Sequence, residues 1–126
     1  MWEVMLTYKI RRMKAEDVEA VARMVALDHN IDPEKGYEEA KEHTSDHLET
    51  GPENCYVVEK DEQVIGAMVL HPQEKVFEIE DFHVKDVQQN KEAFDLLKAK
   101  LLEALEKVET EVLCCPYAIR RLMRTY

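Results

Sequence analysis

An α/β domain on a mostly antiparallel sheet with one parallel crossover is predicted by three observations. A hairpin occupies the middle of the chain, with Cys55–Glu59 as one strand, Lys60–Gln63 as the turn and Val64–Leu70 as the return. From Asn90 onward, Phe94, Leu97, Leu101, Leu105 and Val108 recur at spacings of three and four, the pattern of a long amphipathic helix. A short apolar run, Glu111–Cys115, follows that helix. With the strand that precedes the helix, it implies a right-handed parallel crossover. The 126 residues fit a single domain spanning 1–126.

The remaining elements read in order. Leu6 to Met13 alternates, with Leu6, Tyr8 and Ile10 on one side, and predicts the first strand. Lys14-Ala15-Glu16-Asp17 opens a helix whose apolar stripe is Val18, Val21, Met24, Val25 and Leu27. Asp28 to Gly36, with Pro33 and Gly36 as breakers, is expected to be a loop. Tyr37, Ala40, Thr44 and Leu48 predict a second helix ending before Gly51-Pro52. After the hairpin, Val76–Val84 is a further strand, and Tyr117–Tyr126 a terminal helix. The predicted order is β-α-α-β-β-β-α-β-α.

Composition narrows the partners. The chain carries 27 acidic and 17 basic residues, a net charge of −10, without a stripe of Lys and Arg that would track phosphates. No nucleic-acid partner is expected; an amine or a basic peptide suits this field. The apolar stretches are too short for a membrane span, and the opening residues do not form a secretion signal. Three cysteines, two of them adjacent, are not a disulfide framework, so the expected location is the cytoplasm.

Four segments resemble the GNAT superfamily of acetyl-CoA-dependent N-acetyltransferases, and together they cover nearly the whole chain. Ile10–Asp17 is similar to that family's first strand and helix start. Tyr56–Glu59 with Val64-Ile65-Gly66 is similar to its second and third strands. Ile79-x-x-Phe82-x-Val84 has the apolar rhythm of its fourth strand, and Ala118–Met123 resembles the helix after the fifth. On this resemblance the family's final hairpin is expected to be absent, since this sequence ends where it would begin.

The resemblance implies acetyl-CoA as co-substrate and no metal. In the family, a glycine-bearing loop between the fourth strand and the long helix closes backbone N–H groups on a pyrophosphate. Here that stretch is Gln89-Asn90-Lys91-Glu92-Ala93-Phe94, with Glu92 and Phe94 where glycines are expected. A carboxylate at the helix start competes with a phosphate, and side chains at both positions are expected to crowd it. Gln89, Asn90, Lys91 and Ala93 are the candidate phosphate-end residues. An alternative is that Asn90 caps a helix with an acidic first turn. The resemblance further implies that backbone of Phe82, His83 and Val84 pairs with the pantetheine arm like an added strand.

Acetyl transfer needs a base for the incoming ammonium. Glu78 stands at the position of the fourth-strand glutamate that serves this role in one branch of the family, and Glu80 lies on the same strand side, two residues on. Met123 stands where the family often has an acidic Tyr. His43 and His47 share a helix face at i, i+4, a spacing that can bind zinc, but Thr44 rather than Glu follows the first. An exposed polar face is the expectation there. The sequence thus points to an N-acetyltransferase for an amine of a small molecule or peptide. The alternative is a degenerate binding or assembly module of the same fold, with a homodimer as one form.

Overall fold

The computed structural model describes residues 7–28, 33–74, 76–107 and 111–114. The expected terminal helix, with Met123, lies outside these residues. Five strands lie side by side in chain order: β1 (Tyr8–Arg12), β2 (Cys55–Lys60), β3 (Gln63–Pro72), β4 (Val76–Val84) and β5 (Glu111–Cys114). β1 to β4 pair antiparallel and β4 pairs β5 in parallel, as the helix between them requires. The helices are α1 (Val18–Asp28), entered through a 3-10 turn at Ala15–Asp17, α2 (Pro33–Thr50) and α3 (Lys91–Leu105).

Two expectations are corrected. The loop expected from Asp28 to Gly36 is shorter, because α2 already begins at Pro33. Proline there loses no hydrogen bond, since first-turn N–H groups have no partner within the helix. Leu27, expected on the buried stripe of α1, is 77% exposed, while Val18, Val21, Ala22 and Val25 are buried.

The sheet is covered on both faces. On one, α3 buries Ala93, Phe94, Leu97 and Leu101 against Val58, Met68, Ile79, Phe82 and Val84, and the rings of Phe82 and Phe94 meet edge to face at 5.3 Å. On the other, Val21, Ala22, Val25 and Ala40 from α1 and α2 pack on Val57, Ala67 and Val69. Gly66 lets α3 approach closely: a Cβ there would stand 3.3 Å from Leu97 Cδ1. The β2–β3 turn places Asp61 and Glu62 at φ 50° and 68°, the backbone of a tight primed turn built without glycine.

A bulge interrupts β4. Val69 pairs with Asp81 and Leu70 with Ile79, so Glu80 is the extra residue. Upstream, Phe77 and Ile79 face α3; downstream, Phe82 and Val84 do. The shift in phase brings Asp81 as well as Glu80 toward the side of α2.

Arg11 fixes the entry to α1. Its guanidinium donates to both oxygens of the buried Asp17 at 2.7 and 2.9 Å and to Glu59 at 2.9 Å. Asp17 also accepts the Lys14 N–H at 2.8 Å. Burial pushes the Asp17 carboxyl up, but Arg11 and that N–H outweigh it and hold the group below the usual carboxylate range.

Candidate functional site

Over its described residues, Glu111–Cys114, β5 pairs in parallel with Val76–Ile79 of β4, and β4 runs on to Val84. Phe82 and Val84 point their side chains into the α3 core, so any ligand beside this stretch meets their backbone. His83 faces the opposite side, buried, with Nε2 3.0 Å from Asp81 Oδ1.

On the α2 side, Glu78 and Glu80 stand together, as the two-residue spacing predicts. They meet three imidazoles: His43 and His47 from α2, and His71 from the end of β3, which is directly opposite Glu78 in the sheet register. Glu80 lies 3.6 Å from His43 and 3.5 Å from His71. The His43 and His47 ring centres are 4.5 Å apart, and those of His47 and His71 5.3 Å. Glu78 is raised above the usual carboxylate range, chiefly through its side-chain contact with Glu80. His47 is lowered, first by burial and then by the neighbouring His43 and His71.

The stretch between β4 and α3 departs from its expected behaviour. Asn90 takes the N-cap position but its side chain makes no capping hydrogen bond. Instead its Nδ2 donates to the Lys85 carbonyl at 2.8 Å, while its Oδ1 accepts from the Tyr8 hydroxyl at 3.0 Å and from Lys60 Nζ at 3.4 Å. Phe94 does not crowd the helix start, because its ring is wholly in the core. Ala93 is also fully buried, with its N–H donated to the Asn90 carbonyl at 3.1 Å. Glu92 stays exposed at the helix start beside Lys91 and Gln89.

A cavity of about 530 Å³, within the usual range of small-molecule pockets, lies between α1 and the end of β4. Arg23, Met24 and Leu27 line one wall, and His83, Val84 and Lys85 another. Sequence reading missed Arg23, His71 and Asp81. Arg23 sits on the polar side of α1 with no motif around it. His71 lies beside a proline at a strand end, and Asp81 reaches this face only through the bulge.

No family model matches this sequence, and no curated protein does. Solved structures resemble the fold closely. A candidate acetyltransferase from Pyrococcus horikoshii is 22% identical over 77% of this chain, with a TM-score of 0.63, and the chain spans 34% of that protein's length. A candidate GNAT-family acetyltransferase from Desulfovibrio desulfuricans is 17% identical, with a TM-score of 0.68, over 94% of this chain and 83% of the other. PaiA N-acetyltransferase from Thermoplasma acidophilum, solved with coenzyme A, is 18% identical with a TM-score of 0.60, over 80% and 73% of the two chains. From the parallel β4–α3–β5 crossover and these likenesses, it follows that the chain has the fold of the GNAT acetyltransferases.

Proposed function

We propose that the chain is an N-acetyltransferase that moves an acetyl group from acetyl-CoA directly to an amine of a small molecule or peptide in the cytoplasm. The observation that carries this reading is a GNAT-acetyltransferase-like fold that sets two carboxylates, Glu78 and Glu80, side by side on β4. The backbone of Phe82, His83 and Val84 would take the pantetheine arm as an added strand. Gln89, Asn90, Lys91 and Ala93 would stand at the phosphate end, with Lys85 and Arg23 as nearby cations. Glu78, helped by Glu80, would take the proton from the ammonium. The freed amine attacks the thioester carbonyl, the C–S bond breaks, and the proton shed by the new amide nitrogen passes to the departing thiolate to give free thiol. The net negative charge of the chain favours a cationic acceptor.

Fit to the donor is uneven. On this reading pantetheine would lie along β4, while Glu92 and Asp86 put carboxylates where phosphates would come. That observation favours a second reading, a fold kept as a binding or assembly module with CoA affinity lost. Calorimetry and thermal shift with acetyl-CoA at millimolar concentration, on the parent and on Glu92→Gly, separate the two. Binding by the parent, with turnover of an amine panel that Glu78→Gln abolishes, supports the enzyme. Binding that arises only in Glu92→Gly supports the module. Absence of binding in both removes acetyl-CoA altogether. Phe94 is left untouched in this test, because its ring belongs to the core.

A further inference from the structure

We infer that His43, His47 and Glu80 form a binding site for a divalent transition-metal ion of the zinc class, with His71 positioning the carboxylate. The site goes beyond the acetyl-transfer reading and does not rest on it.

The argument starts from the helix. His43 and His47 are separated by four residues on α2, which sets their imidazoles on one face, one turn apart. Opposite them, the β4 bulge delivers Glu80 as the extra residue. One ligand atom from each of the three lies within 4.8 Å of the others. Two histidines and one carboxylate with an open fourth position are a donor set of zinc sites.

The distances favour an ion over direct pairing. Glu80 Oε2 stands 3.6 Å from His43 Nε2, longer than a charge-assisted hydrogen bond. Two donors bound at ~2.0–2.1 Å to one tetrahedral ion stand ~3.4 Å apart, close to what is seen here. Glu80 uses different oxygens for its two contacts, Oε2 toward His43 and Oε1 toward His71. His71, 3.5 Å from Oε1, is placed to close on that oxygen and hold the carboxylate while Oε2 binds metal, as partners of metal ligands commonly do.

Charge points the same way. Glu78 and Glu80 put two carboxylates side by side next to the imidazoles, and a bound dication offsets their like charge. His43 is 50% and Glu80 23% exposed, so an ion can enter from solvent and a water can complete its coordination. Imidazole donors select zinc, cobalt or nickel over magnesium and calcium.

The test uses the full chain, freed of metal with chelator and titrated with zinc by calorimetry and with cobalt by visible absorption. Expected are one ion per chain, a rise in Tm with zinc, and the intense d–d bands of a tetrahedral cobalt site without thiolate charge transfer. His43→Ala, an exposed substitution, and Glu80→Gln should each weaken zinc by at least about tenfold, the loss typical even of residues behind the ligands. His71→Ala should weaken it less. The wild-type cobalt spectrum keeps the test valid if a variant folds poorly. Several results overturn the proposal: no zinc binding, equal binding of magnesium, or thiolate charge transfer abolished by Cys114→Ser with Cys115→Ser. Loss of binding with His71→Ala and Glu78→Gln but not with His43→Ala would also overturn it, since the ion would then belong to the neighbouring triad.

Discussion

Replacing Arg11 by Met should loosen the entry to α1 and reverse how one carboxylate responds to pH. The guanidinium makes two short contacts to Asp17 and one to Glu59, and the Asp17 side chain is only 6% exposed. Removing one member of a buried ion pair costs about 3–5 kcal/mol. Arg11 and Glu59 are each 21% exposed, so water recovers part of the loss and the expected cost is about 2–3 kcal/mol. In the parent, Asp17 titrates below its unfolded value. Its contribution is present above that value and is lost as pH falls through the folded one. Without Arg11, burial governs and the folded value rises above the unfolded one. The variant then recovers stability as acid protonates Asp17, and its deficit narrows. Urea unfolding of the parent, Arg11→Met, Asp17→Asn and the double variant, at neutral pH and near pH 4, measures both effects. A coupling energy below about 0.5 kcal/mol at neutral pH, or a deficit that does not change with pH, would refute the reasoning.

Glu62→Gly should stabilise the β2–β3 turn by about 1 kcal/mol, because the residue sits at φ 68°; a lower Tm would count against a primed turn. Phe94→Ala should cost about 3–5 kcal/mol in urea unfolding, since the ring is fully buried against Phe82. A near-neutral result would place the ring at the helix surface. Gly66→Ala should lower stability by about 1–2 kcal/mol, because its Cβ presses on the buried Leu97. Adding Leu97→Val to it should then cost less than Leu97→Val alone costs in the parent, which a double-mutant cycle reads directly.

Element order was legible because each strand and helix carries its own period, and the crossover follows from a strand, a helix and a strand in succession. The face of β4 was legible only in part. Ile79 and Phe82 are three apart, a spacing that a regular strand would send to opposite faces. Both face α3, so the spacing itself is the trace of the bulge. Leu27 misled because apolar residues at helical spacing need not be covered; here it lines a cavity. Asn90 misled because a capping residue type can serve a distant partner instead. The pairing of His43 and His47 with Glu80 and His71 needs α2 laid beside the β3–β4 ends, and no local spacing encodes that.

The Asn90 side-chain amide reaches Tyr8, 82 positions away in the chain, since its oxygen accepts from the Tyr8 hydroxyl while its nitrogen donates to the Lys85 carbonyl. This ties the timing of folding to geometry. A contact of such long span forms only after the intervening chain has closed, so the loop leading into α3 settles late. Once settled, that loop and the edge strand β1 should open as one unit. Amide exchange in Lys85–Ala93 would then keep pace with that of Tyr8–Arg12, and Asn90→Ala would uncouple them.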